Sequence, residues 1–232
     1  MIKGFLQRMW STAMAHNKSN ILSLAAKNPE AVLLDMGCDE GTWTKTFASS
    51  IGTVKITGVE VVEARLKTAE AKGIHGVLAN LDGKLPLANQ SFDVIHANQV
   101  IEHVSSIDNF AQEIHRLLKP GGYAIVSTEN ASSWCNVFAV ALGWQMFSLT
   151  NLSARGAGLG NPFALHRGQK VDLSTWTHKT IFSFRGLIEF FEAHGFKVEK
   201  ILGAGYFPMP TIIARWDKRH AHFITIKISK AT

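Results

Sequence analysis

Val32-Leu33-Leu34-Asp35-Met36-Gly37-Cys38-Asp39-Glu40-Gly41-Thr42 compresses a short apolar run, a two-glycine turn carrying three carboxylates, and the opening of a helix into eleven residues. Working outward from it, Lys55 to Val59, Gly76 to Ala79, Phe92 to Ala97 and Tyr123 to Thr128 repeat the strand pattern of Val32 to Leu34. Several are apolar on both faces, as strands covered on two sides require. Thr42 to Ser50, Glu63 to Lys72 and Ile107 to Leu118 read as the helices between them, the last stopped by Lys119-Pro120-Gly121-Gly122. Such alternation predicts an α/β chain: a doubly wound, mostly parallel sheet with helices on both faces. Ligands of these sheets sit beyond the carboxyl ends of the strands, so the residues that follow each strand carry the functional reading.

A glycine turn lets a nucleotide-type ligand approach the backbone closely. A dinucleotide site would carry G-x-G-x-x-G and hold a pyrophosphate at the helix N-terminus. Here Asp35, Asp39 and Glu40 would repel a pyrophosphate at short range. The turn, with Gly37 and Gly41, suits a ligand bearing positive charge, which weighs against an NAD-dependent oxidoreductase. Glu60 ends the second strand, where a carboxylate can accept both hydroxyl protons of a ribose. Asp82 in Asn80-Leu81-Asp82 can accept from an adenine amino group, and Leu81 and Val61 can cover the ring faces. Taken singly, each is equally a turn former or cap.

In order, VLLDMGCDEGTWT, ITGVEVVEARLKTA, NLDGKLPLANQSFDVIHANQVIEHV and LLKPGGYAIVSTEN resemble the class I S-adenosylmethionine-dependent methyltransferases. HKTIFSFRGLIEFFEAHGFKVEKILGAGY resembles the end of the bacterial small-molecule methyltransferases of that group, those near sugar and cell-surface biosynthesis and the quinone O-methyltransferases among them. The resemblance implies a Rossmann-like seven-stranded sheet with the last strand antiparallel, and His220 to Lys230 fits that strand. It implies S-adenosylmethionine as cofactor, held by Asp35, Gly37, Asp39, Gly41, Glu60, Val61, Leu81, Asp82, Asn98 and Gln99. The last two stand where the methionine moiety meets the acceptor. Asp39 replaces a glycine usual in the family. Asp tolerates left-handed backbone better than most residues, yet this departure keeps open a rival reading, a non-catalytic binding or regulatory protein on the same fold.

Methyl transfer from a sulfonium is an in-line displacement in which alignment is the main task. A hydroxyl acceptor must also lose a proton, so a general base helps. His103 in IEHV and His178 in HKTIFSF are the candidates, histidine having the right ordinary pKa. Each could instead order a loop or cap a helix. Glu102 is a further candidate base. His166 and Arg167, near Trp176, could recognise an anionic group on the acceptor.

The 232 residues carry 24 Lys+Arg against 18 Asp+Glu, a net charge of +6. The excess lies toward the two ends and is not interleaved with aromatics on one element, so nucleic acid is not an expected partner. Cys38 and Cys135 lie far apart at no metal-ligand spacing, which predicts neither disulfide nor metal site and favours a reducing, cytoplasmic setting. The expected organisation is one domain: an amphipathic helical cap over 1–28, a cofactor-binding core over 30–130, a substrate-facing insertion over 131–177, and a C-terminal helix and strands over 178–232. In the cap, Ile2, Phe5, Leu6, Met9, Trp10, Ala13 and Met14 form one stripe with Lys3 and Arg8 off it, the pattern of a helix packed on its own domain or lying on a membrane. Between Glu129 and Arg155 no residue is charged. Asn136, Gly143, Gln145 and Ser148 interrupt the run, so it predicts a buried or substrate-capping helix, with an interfacial helix as the alternative; a span needs about 20 mostly apolar residues. A small-molecule, sugar or lipid-linked acceptor, methylated at oxygen, is the expected substrate, with peripheral membrane contact left open.

Overall fold

A computed structural model describes residues 2–169 and 176–231. The helices are α1 (Ile2–Leu24), α2 (Thr42–Ile51), α3 (Glu63–Glu70), α4 (Ile107–Leu117), α5 (Trp134–Ala141) and α6 (Phe184–Ala193). The strands are β1 (Val32–Met36), β2 (Lys55–Glu60), β3 (His75–Leu78), β4 (Phe92–Asn98), β5 (Leu118–Glu129), β6 (Phe196–Ala204) and β7 (Phe223–Lys230). They form one sheet in the order β3-β2-β1-β4-β5-β7-β6. β1 pairs in parallel with β2 and β4, and β4 with β5, whereas β7 runs antiparallel to both neighbours. This is the Rossmann-like sheet expected from the sequence, with the final strand reversed.

Two apolar layers sandwich it. Ile21 and Leu24 of α1, Phe47 and Ile51 of α2 and Leu66 of α3 pack with Leu33 on one face. Phe110 and Ile114 of α4 and Leu187 and Phe191 of α6 pack with Leu34 and Met36 on the other. Alternation along β1 thus sends successive side chains to opposite layers, and Asp35 falls on the α2 side, bonded by the Thr44 hydroxyl.

Three expectations need correcting. The helix stops at Leu117, ahead of Lys119 to Gly122 as expected, but the next strand begins at Leu118 and not at Tyr123. Leu118 already pairs with Phe92, the chain bulges through the proline and glycines, and pairing resumes at Tyr123 opposite Val94; a bulge with Gly121 at φ +77° accommodates this. The last strand begins at Phe223, because Lys218–His220 forms a short 3-10 turn. Of the two forms expected for the uncharged segment, the buried helix is not the one found: α5 is eight residues long, Phe138 and Leu142 are 56% and 61% exposed, and its buried positions are Asn136 and Ala139, while Cys135 and Phe147 face a cavity.

The stripe of α1 continues past the residues read from sequence. Ala13, Asn17, Ile21 and Leu24 are buried against the sheet, while Phe5 is exposed. Asn17 is fastened by polar contacts: its Nδ2 donates to Asn98 Oδ1 and to Ser127 Oγ, and its Oδ1 accepts from the Thr225 hydroxyl at 2.8 Å. The helix is therefore tied to the carboxyl ends of β4 and β5.

Candidate active site

The carboxyl ends of β1, β2, β4 and β5 open into a cavity of about 1040 Å³, closed on one side by Leu6, Trp10 and Met14 of α1. Its floor is the β1 turn. Gly37 adopts φ +78° and Asp39 φ +50°, the left-handed conformation foreseen for that aspartate. A Cβ on Gly37 would come within 2.7 Å of Val100 Cγ2, so the glycine is required by space as well as by φ. The carboxylate of Asp39 is paired with Arg65 at 3.0 Å, which offsets part of the negative charge at the turn. Gly41 is left-handed too, but it packs against Ala69 and Ile74 and heads α2; it does not line the cavity.

Glu60 is the organising group. Its Oε2 accepts from the Asp39 amide at 3.1 Å and its Oε1 from the amides of Val61 and Val62 at 3.0 Å each. Three of the roughly four acceptor positions of a carboxylate are thereby used by backbone. One remains, on Oε2, so in this geometry Glu60 can take one ribose hydroxyl and fixes the turn with the rest.

Val61, Leu81 and Asp82 line the same end. Asp82 Oδ1 accepts from the amides of Ser105 and Ser106 at 2.6 and 3.0 Å, leaving Oδ2 toward the cavity with Lys179 Nζ at 3.9 Å. Burial pushes this carboxyl up, but the Ser106 and Ser105 amides and the Lys179 charge outweigh it and hold the group below its usual range. Asn98 and Gln99 also line the wall. Gln99 is left-handed at φ +56°, and its side-chain nitrogen is buried without a protein partner, a donor waiting for an acceptor.

Across the cavity, His103 and His178 meet edge to face with ring centroids 4.7 Å apart. His103 Nδ1 lies 3.1 Å from the carbonyl of Thr177, and His178 Nδ1 lies 2.6 Å from the carbonyl of Ser148. A carbonyl accepts only, so both Nδ1 atoms carry a proton. Burial and the neighbouring His178 drive the pKa of His103 down to about 4, so its ring is neutral at physiological pH. Glu102 is fully buried, and burial together with the Glu129 charge raises it to about 8. Its Oε2 accepts from the Thr128 hydroxyl while Oε1 has no partner. Glu102, His103 and His178 place donor atoms within 4.8 Å of one another, near enough to share an ion. Sequence reading missed Glu129, at the end of β5, which stands between His178 and His222 at 3.9 and 3.8 Å; its place at a strand end was the available signal.

Asp35 is not in the cavity. It lies beneath, bonded to Thr44 and to His96 Nδ1 at 2.7 Å, and His96 Nε2 in turn accepts from the Trp43 indole. Asp35 thus locks β1 to β4 and α2 under the turn. His166 and Trp176 line the cavity edge to face at 4.8 Å, while Arg167 points away and donates to the Asn161 carbonyl.

A nucleoside with a positively charged tail fits these residues: a carboxylate with one open position, a glycine where both φ and Val100 oppose a side chain, apolar covers in Val61 and Leu81, and an orphaned amide donor on Gln99. S-adenosylmethionine, when bound here, supplies the electrophilic methyl; Glu60, Asp82 and Gln99 are the residues that would hold it.

Comparison with known proteins agrees with this reading. Residues 9–201 match the methyltransferase domain family. The chain is 24% identical over 185 residues to the human mitochondrial ubiquinone biosynthesis O-methyltransferase, covering 76% of this chain and 44% of that protein. It is 34% identical over 119 residues to the ubiquinone biosynthesis O-methyltransferase of Maricaulis maris, covering 47% and 44%. The chain thus spans about half the length of the curated relatives it matches. In fold it is similar to a structure from Listeria monocytogenes described as a putative S-adenosylmethionine dependent methyltransferase, at TM-score 0.64 and 15% identity over 97% of this chain and 99% of that one. A Thermotoga maritima structure described as a possible histamine N-methyltransferase aligns at TM-score 0.61 and 18% identity over 99% and 100%. With the match to the family spanning most of the chain, and with the sheet and the strand-end cavity described above, this chain belongs to the S-adenosylmethionine-dependent class I methyltransferases.

Proposed function

We propose that the chain transfers the methyl group of S-adenosylmethionine to a hydroxyl oxygen of an aromatic small molecule with an apolar tail. The observation that carries this is the His103–His178 pair: two rings on the cavity wall whose Nδ1 protons are committed to backbone carbonyls, which turns Nε2 of each away from those bonds. Either can take the acceptor's proton as its oxygen attacks, a contribution of about 10²–10⁴ in rate. Glu102, raised to about 8, holds its own proton at neutral pH and so leaves that role to the histidines. Trp10, Phe147, Phe163 and Phe207 supply flat apolar walls for the acceptor. The relatives named for ubiquinone biosynthesis support an aromatic hydroxyl with a lipid tail.

A lipid tail is consistent with peripheral membrane contact. Among the described residues no helix is long and apolar enough to cross a membrane. The exposed face of α5, with Phe138 and Leu142, adjoins the basic turn at Arg215, Lys218 and Arg219, because Trp134 stacks on His220 at 4.3 Å and packs near Phe138. An apolar face rimmed by positive charge suits an anionic bilayer surface.

The test is transfer of labelled methyl from S-adenosylmethionine to a panel of phenols and catechols with and without isoprenoid tails, the product located by mass spectrometry. A methyl ether formed on tailed catechols supports the reading. Methyl found on carbon or nitrogen, or cofactor binding without transfer to any member of the panel, overturns it, the latter in favour of a binding protein.

A further inference from the structure

Two cysteines occupy opposite environments. Cys38 is buried in the β1 turn, where burial and the charges of Asp35 and Glu60 push its thiol up to about 12, an inert position. Cys135, the second residue of α5, lines the cavity and is partly exposed. Its Sγ is 3.4 Å from His222 Nδ1 and 3.3 Å from the Ser133 hydroxyl. His222 is buried just ahead of β7 and turns its Nε2 toward Glu129 Oε1 at 3.8 Å. Burial opposes charge on His222, but Cys135 and Glu129 outweigh it and hold its pKa above the ordinary value. Nucleophile, base and orienting carboxylate therefore come from three separate places in the chain: α5, the residue ahead of β7, and the end of β5. Methyl transfer uses none of the contacts between Cys135 and His222. Beside them Phe207 meets the His222 ring at 5.0 Å and packs with Trp10 and Met14, so the thiol opens onto a flat apolar wall.

We propose that Cys135, His222 and Glu129 form a nucleophilic centre that adds to flat, apolar, α,β-unsaturated carbonyl compounds entering the cavity. In the step, His222 Nδ1 takes the thiol proton as Sγ attacks the β-carbon. The carbon–sulfur bond forms, the alkene electron pair moves onto the enolate, and His222 returns the proton to the α-carbon. The atoms of both partners are retained in one thioether, and no oxidant or second reactant is required. Glu129 acts through His222 by charge, its carboxylate 3.8 Å from Nε2 favouring the imidazolium that forms as the thiol gives up its proton.

N-ethylmaleimide is the probe, with labelling of the full chain followed by peptide-mapping mass spectrometry at neutral pH. Cys135 is expected to label at least tenfold faster than glutathione under the same conditions, with Cys38 unlabelled until the protein is denatured. His222→Asn should remove the acceleration, returning the rate to that of glutathione, and Glu129→Gln should lower it several-fold; Cys135→Ala abolishes labelling at that peptide. Labelling of Cys135 at or below the glutathione rate overturns the proposal, as does an unchanged rate in His222→Asn. Should His222→Asn fail to fold, the wild-type chain decides alone: Cys135 must react faster native than in guanidinium, and an equal or slower native rate overturns the proposal.

Discussion

The two halves of the cavity are built by different means. On the cofactor side the decisive bonds are made by backbone amides within two neighbouring strand ends: those of Val61 and Val62, next to Glu60, and that of Asp39, 21 positions earlier, converge on its carboxylate, and the shape of the turn depends on Gly37. On the acceptor side the decisive bonds join distant parts of the chain. His103 is held by the carbonyl of a residue 74 positions away, and His178 by one 30 positions away. The cofactor turn is set by adjacent strands within Val32 to Val62; the pair of oriented imidazoles depends on carbonyls at Ser148 and Thr177, far along the chain from His103. The cofactor half is accordingly rigid by local geometry, and the acceptor half is where substrate choice can change without disturbing it.

Breaking the acceptor half should give the largest effect on catalysis. His178→Ala and His103→Ala are expected to lower kcat by up to about 10²–10⁴-fold for whichever ring is the base, with the S-adenosylmethionine Kd within threefold of wild type. A matched loss of cofactor affinity would erase the proposed separation of the halves. Breaking the cofactor half should do the reverse: Glu60→Ala should weaken S-adenosylmethionine by about 100-fold in titration calorimetry, since it removes a charged acceptor and frees three amides.

Gly37→Ala should destabilise the fold by about 2 kcal/mol, through a left-handed φ and the close approach to Val100, read as a lower midpoint in urea. Glu102 offers a subtler test. Its pKa is raised to about 8 in the fold against an ordinary 4.5, so between those values the folded chain holds a proton that the unfolded chain has lost. Its contribution to stability is therefore present below pH 4.5 and declines as pH rises toward 8. Glu102→Gln should flatten that decline, seen as a smaller fall in urea midpoint between pH 5 and pH 8 than in wild type. The smallest effect is expected at Asp39→Gly. Glycine accepts the same backbone and keeps the amide bond to Glu60, so cofactor affinity should change by less than about fivefold; a larger gain would mean that the aspartate, despite its Arg65 partner, opposes the ligand.

The same division explains what the sequence alone could convey. Strands β1, β2 and β4 were legible to within a residue or two because each is a short stretch rich in apolar and β-branched residues before a turn, and the places of Gly37 and Glu60 follow from those strand ends. Asp35 was placed with the cofactor on the same logic, but pleating turns it to the α2 layer, where it binds Thr44 and His96. The bulge in β5 was hidden because Lys119-Pro120-Gly121-Gly122 reads as a helix stop, and the sheet absorbs it only by pairing on both sides. Asn17 is a polar residue in the buried stripe of α1, and its partners lie on β4, β5 and β7, which no local pattern brings together. Glu129 and His222 meet for the same reason, through the antiparallel pairing of β5 with β7.

The most direct test of the central claim is calorimetric titration of the purified chain with S-adenosylmethionine and, separately, with NAD. A built nucleoside site with a crowded acidic turn predicts saturable binding of the sulfonium compound and none of the dinucleotide. Binding of NAD, or of neither, would contradict the assignment of the Gly37–Glu60 half of the cavity as the cofactor site.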